Sequence, residues 1–113
     1  HQNIRIINFF ASWCGPCKAE HPFLLELADK KVDMLGIAFQ DSEEQAKSYL
    51  LAAKNPYLLT AIDVKASLGA QWNISSIPQT FLISDDGRIL YHKSGRLLRE
   101  DLDNYIYPLL KRN

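Results

Sequence analysis

The chain alternates between short apolar runs and longer stretches with helical spacing. "IRIINFF" (4–10) is an almost unbroken run of isoleucine and phenylalanine. It has too little polar alternation for a half-exposed strand and reads as a buried central one. "VDMLGIAF" (32–39), "LLTAI" (58–62) and "TFLIS" (80–84) read the same way. After the first run, Phe23, Leu24, Leu27 and Ala28 recur at helical spacing, with Pro16 in the first turn, where a missing N–H costs nothing. That helix starts at the cysteines. Pro22 lies inside it, removes the bond to the Lys18 carbonyl and predicts a kink. Ser42 followed by Gln45 is a capping-box signature, and Tyr49, Leu50 and Ala53 then share one face. A short helix is predicted in 63–72 with Asp63 as its cap, and a hairpin turning at Asp86-Gly87. The closing helix presents Leu98, Leu102, Tyr105, Ile106 and Leu109 on one side.

Buried strands separated by helices predict an α/β architecture, a sheet covered on both faces. At 113 residues the chain suffices for one domain, expected to span 1–113, with no internal repeat or linker. Thirteen basic residues balance thirteen acidic ones, so no field draws in nucleic acid or anionic lipid. No window approaches the roughly 18 apolar residues of a membrane helix. The chain enters an apolar run almost at once, which leaves a leader or anchor upstream open.

The only two cysteines, Cys14 and Cys17, stand in "FFASWCGPCKAEHP" (9–22). A bridge between them closes so small a loop that it removes little unfolded-state entropy, so a stabilising staple is a poor reading. A structural metal needs about four ligands, and only His21 lies nearby in sequence. A redox pair fits better. A cysteine at a helix N-terminus sits where unpaired N–H groups and the helix dipole favour a thiolate. Cys14 is therefore the attacking sulfur, and Cys17, one turn further in and more buried, resolves the mixed disulfide. A second position supports this: Ile77-Pro78, directly before a strand, is the best candidate for a cis peptide bond. Beside the cysteines, the backbone around Ile77 would pair with an extended substrate; otherwise Pro78 merely ends a loop.

"FFASWCGPCKAEHP", followed 64 positions after Cys14 by "IPQTFLI", resembles the thioredoxin superfamily. "WCGPCK" is similar to thioredoxin itself, yet the gap to the proline is longer. The surplus corresponds to a helix-strand unit from about Ser42 to Ile62, typical of membrane-anchored bacterial thioredoxin-like reductases. "KAEHPFLLELA", "KNPYLLTAID", "SLGAQWNISSIPQTFLISDDGRILYHKSG" and "IYPLLK" most resemble the CcmG family, also called DsbE, of cytochrome c maturation. The resemblance covers nearly the whole chain. It implies a three-layer α/β/α sandwich with a central mixed sheet and an extra helix-strand insertion. It also implies a monomeric thiol-disulfide oxidoreductase, periplasmic and tethered to the inner membrane by an upstream helix. Such a protein keeps apocytochrome c or its thiol partner reduced, takes electrons from a DsbD or CcdA-type membrane reductase, and needs no metal and no cofactor beyond the Cys14–Cys17 disulfide.

Carried onto this chain, the resemblance makes Cys14 the attacking and Cys17 the resolving cysteine, Pro78 the cis-proline, Trp13 the aromatic before the pair and Glu20 the acid after it. Ile77 and Gln79 are the expected substrate contacts. Two departures stand out: Gly15-Pro16 matches thioredoxin, where many CcmG proteins carry another pair, and Gln79 replaces a common glutamate. An acidic rim for a dedicated partner is thereby weakened. Asn8 occupies the place of thioredoxin's buried aspartate and cannot ionise, so it cannot take the Cys17 proton. Glu20 is either its buried substitute or a solvated helix carboxylate. Trp13 is read as both packing and recognition. His21 is expected on the helix surface, and Trp72 and the tyrosines are expected to pack. A general thioredoxin-like reductase, or a binding module of this fold without electron transfer, are the competing readings.

Overall fold

The computed structural model describes residues 3–111. Its elements run β1 (Arg5–Phe10), α1 (Gly15–Asp29), β2 (Asp33–Phe39), α2 (Glu43–Ala53), β3 (Leu59–Asp63), α3 (Ser67–Gln71), β4 (Gln79–Ile83) and β5 (Ile89–Ser94). A closing helix follows, α4 (Arg99–Asp101) leading through a π-helical stretch (Leu102–Ile106) into α5 (Tyr107–Lys111). The strands form one mixed sheet in the order β3-β2-β1-β4-β5. β1 runs parallel to β2 and antiparallel to β4, and β2 runs parallel to β3. The insertion Ser42–Ile62 thus supplies α2 and an added edge strand.

Each face of the sheet has its own core. Ile6, Phe10, Met34 and Leu82 pack under Cys17, Leu24 and Leu27 of α1, Ala46 and Leu50 of α2, and Leu102 and Ile106 of the closing helix. Phe9, Ile37, Phe39 and Phe81 on the other face meet α3 and the residues after it, including Trp72 and Ile74. The three layers are present but unequal, because α3 has only five residues. The edge position of β3 corrects the reading of 58–62 as a buried strand: Leu58 and Leu59, at its start, are 69% and 68% exposed.

Local chemistry explains the element ends. Ser42 caps α2, its hydroxyl accepting from the Gln45 N–H at 3.1 Å. Ala66, not Asp63, holds the N-cap position of α3; Asp63, at the end of β3, still satisfies the first turn, its carboxylate accepting from the N–H groups of Leu68 and Gly69 at 3.0 and 2.9 Å. Gly87, at φ +85°, turns the β4–β5 hairpin as predicted. α1 runs through Pro22 without interruption. In the closing helix the Tyr107 N–H bonds the Leu102 carbonyl five residues back, just ahead of Pro108, which has no N–H to donate. That extra residue rotates the face, and Tyr105, expected inside, is exposed and stacks on Tyr91 instead.

Candidate active site

Antiparallel pairing sets Phe9, near the end of β1, opposite Gln79, the first residue of β4. The loop leading into α1 and the loop leading into β4 therefore meet at one end of the sheet. The first carries Trp13 and Cys14; the second carries Ile77-Pro78, whose peptide bond is cis. The two ends of this meeting are tied down. Ser12 donates to Asp41 from its N–H (2.7 Å) and its hydroxyl (2.9 Å), and the Trp13 indole N–H donates to the Gln40 carbonyl at 3.0 Å. On the β4 side the Gly95 N–H reaches the Pro78 carbonyl at 2.9 Å.

Cys14 is the N-cap residue of α1, and its sulfur accepts from the Cys17 N–H at 3.2 Å. The two sulfurs are joined in a disulfide, with the Cα atoms 5.3 Å apart. Cys14 is 4% exposed and Cys17 2%, so the attacking sulfur is less open than its place at a helix start suggests. Its route outward is a cleft of about 330 Å³ lined by Trp13, Cys14, Pro16, Gln40, Ser76 and Ile77. Trp13 and Pro16 form the exposed lip, with Gly15 exposed between the cysteines. Among the described residues no hydrogen bond uses the Ile77 N–H or carbonyl.

Behind the disulfide lies a buried polar chain. Glu20 is fully buried one turn beyond Cys17 and accepts from the Leu97 N–H (2.9 Å) and from Asn8 Nδ2 (3.0 Å). Asn8 Nδ2 also donates to Thr80 Oγ1 at 3.0 Å, and Asn8 Oδ1 accepts from the Tyr57 hydroxyl at 2.7 Å. Burial pushes the Glu20 carboxyl up to about 7, although the bonds from Leu97 and Asn8 favour its ionised form. Of the two sequence readings of Glu20, a solvated helix carboxylate is therefore wrong in its placement. The helix simply turns this position toward the core.

Two other expectations are corrected. His21 is buried, not on the helix surface: its ring bridges to the end of α2, with Nε2–H donating to the Ala53 and Lys54 carbonyls. Gln79 does not line the cleft. Its side chain lies buried on the α3 face of the sheet, donating to Ser76 and Ser94 and meeting His92 Nε2 at 2.6 Å. A side chain at this position alternates away from Thr80, which faces Asn8. Two residues that matter here escaped the sequence reading. Asp41 hid behind Ser42, the more obvious cap, and Tyr57 was counted among packing tyrosines. For Tyr57 an indication existed in Gly36, a lone glycine inside a strand, which often marks close approach of another group. A Cβ on Gly36 would sit 2.6 Å from the Tyr57 ring.

The chain and its architecture match known proteins. The Redoxin family profile matches residues 3–106. The chain is 37% identical over 109 residues to the thiol:disulfide interchange protein DsbE homolog of Paracoccus denitrificans, covering 96% of this chain and 60% of that protein. It is 35% identical over 107 residues to the thiol:disulfide interchange protein HelX of Rhodobacter capsulatus, covering 95% of this chain and 61% of that one. It thus spans about three fifths of the length of these relatives. The crystal structure of a thioredoxin-like protein from Aeropyrum pernix superposes with a TM-score of 0.81 at 19% identity, over 94% of this chain and 77% of that one. With a cysteine pair at the start of α1, a cis-proline before β4 and a profile match over nearly its whole length, the chain belongs to the Redoxin family.

Proposed function

We propose that the protein is a thiol-disulfide oxidoreductase that reduces disulfides in protein partners. The observation that carries this is the Cys14–Cys17 disulfide at the N-terminus of a fifteen-residue helix, with a buried carboxyl one turn behind it. In the reduced form the helix N-terminus and the Cys17 N–H favour a Cys14 thiolate. That thiolate attacks a partner disulfide; one partner sulfur bonds to Cys14 and the other leaves as a thiolate. Cys17 then gives its proton to Glu20, whose affinity near pH 7 suits both taking and releasing it, and attacks Cys14. The bond to the partner breaks, the partner departs with both sulfurs reduced, and the Cys14–Cys17 disulfide remains. A dithiol donor restores the cycle. Trp13 and Pro16 form the lip against which the partner rests, and the free backbone of Ile77 beside cis-Pro78 pairs with an extended segment of it.

The names of the two relatives support thiol:disulfide interchange; the sequence resemblance alone supports a place in cytochrome c maturation, with apocytochrome c or its thiol partner as substrate and a DsbD or CcdA-type membrane reductase as donor. The periplasm, with tethering to the inner membrane, is the compartment this reading requires; among the described residues no helix is long and apolar enough to cross a membrane. One observation favours broader use as a general reductase: Gln79 is tied inward and puts no charge on the rim. The test is Cys17→Ser, incubated with a disulfide-bonded CXXCH peptide. A mixed disulfide through Cys14 should accumulate, because resolution is blocked. Non-covalent binding with no such adduct would mean a binding module instead.

A further inference from the structure

The Asn8 amide has only one orientation compatible with its surroundings. Nδ2 faces the Glu20 carboxyl at 3.0 Å and the Gln79 carbonyl at 3.4 Å, and a carbonyl can only accept. Oδ1 must then point the other way, where its partner is the Tyr57 hydroxyl at 2.7 Å, donating. The phenol is held for that task. Its ring stacks on Phe10 with centroids 4.9 Å apart and fills the space left by Gly36. Its backbone is fixed by the Asn55 side chain, which accepts from the Tyr57 N–H at 2.9 Å, and by the next residue, whose N–H reaches the Met34 carbonyl at 2.8 Å. A fully buried hydroxyl that donates to a buried amide is costly to lose, since Oδ1 is left without a donor.

We infer that Tyr57 is a positioning residue of the redox site: its hydroxyl locks the Asn8 amide with Nδ2 toward Glu20, and so controls how tightly that carboxyl holds a proton. This rests on the reading of Glu20 as proton acceptor for Cys17. The bond from Asn8 stabilises carboxylate over carboxylic acid, opposing the burial that favours the acid. Tyr57 lies in the inserted helix-strand unit, so the insertion reaches the site from behind. The other groups facing Glu20 are few. Cys17 lies one turn back on the same helix, Tyr49 comes from α2, Leu97 supplies its N–H from the loop after β5, and β4 supplies Thr80 through Asn8. His21 turns away to Tyr49 and the end of α2.

The test reads the carboxyl carbon of Glu20 by NMR between pH 5 and 9 in the oxidised protein. Tyr57→Phe should raise the titration midpoint by roughly half a unit to one unit, because the amide loses its anchor. Replacing Tyr57 by 3-fluorotyrosine keeps the ring and strengthens the donor, and should lower the midpoint, which covers the case of a poorly folded phenylalanine variant. Unchanged midpoints in both would overturn the inference. The pH profile of dithiol exchange with a disulfide peptide supplies the second readout. Its midpoint should follow the carboxyl in Tyr57→Phe and should not respond to Tyr57→Phe in a Glu20→Gln background; an equal response there would also overturn it. A Tyr57-dependent carboxyl midpoint beside a profile untouched by Glu20→Gln would refute the proton-acceptor reading while supporting the link from Tyr57 to Glu20.

Discussion

At the scale of single residues, the site depends on side chains that never touch a substrate. Asp41 is the clearest case: buried beside the redox loop, it accepts from the Ser12 N–H and hydroxyl and from the Ser42 N–H. It thereby fastens the approach to Trp13 and Cys14 to the start of α2. Asp41→Ala leaves the half-buried Ser12 N–H and the Ser42 N–H, at the exposed start of α2, without their acceptor. A buried donor left unmet costs about 1–3 kcal/mol and less where water reaches it, so the expected result is a fall in stability of about 1–2 kcal/mol by urea denaturation of the oxidised protein. Asp41→Asn keeps the shape and one good acceptor, and should lose less. Equal losses for the two variants would mean that Asp41 matters for volume and not for its hydrogen bonds.

At the scale of elements, α3 shows how little structure covers one side of the sheet. Its five residues hold to the sheet through Asp63 and through Gly69, which lies against Phe39. A Cβ on Gly69 would stand 2.4 Å from the Phe39 ring, and Phe39 borders the redox cleft. Gly69→Ala should therefore push α3 off the sheet, costing about 1–3 kcal/mol by thermal or urea unfolding, and should raise amide exchange in 66–74 above that in α1. Uniform exchange would mean that Phe39 yields without moving the helix. Most element types were legible in the chain because period and caps act locally: the run at 4–10, the helix starting at the cysteines, Ser42 with Gln45, and the Asp86-Gly87 turn. What stayed hidden depends on tertiary neighbours. Leu59 looks like any buried strand residue until β3 proves to be an edge, and Tyr105 looks inward until the π-helical stretch before Pro108 rotates it out. The cysteines and Pro78 declare themselves by spacing, whereas Glu20 needed its helix face known and Tyr57 needed the insertion folded.

At the scale of the whole molecule, Glu20 is a tie between distant parts of the chain and an electrostatic burden on it. It links α1 to Leu97, 77 residues away, and through Asn8 and Tyr57 to β1 and the insertion. Its carboxyl binds a proton at about 7 in the folded protein against 4.5 for the ordinary group. Between those values the folded state holds the proton and the unfolded chain has released it. Stability therefore falls as pH rises through this window and is level above it, with at most about 3 kcal/mol at stake. In the oxidised protein, where neither cysteine titrates, unfolding free energies at pH 5 and pH 8 should differ by roughly 2–3 kcal/mol more in the wild type than in Glu20→Gln. The variant keeps one acceptor oxygen where the carboxylate has two, so it loses one of the bonds from Leu97 and Asn8 at every pH and its absolute stability is not the readout; the slope is. Matching slopes would place the carboxyl in the ordinary range and remove the physical basis for proton transfer from Cys17. A steeper wild type would mean that the fold gives up stability at neutral pH to keep, behind its disulfide, a carboxyl poised to exchange a proton.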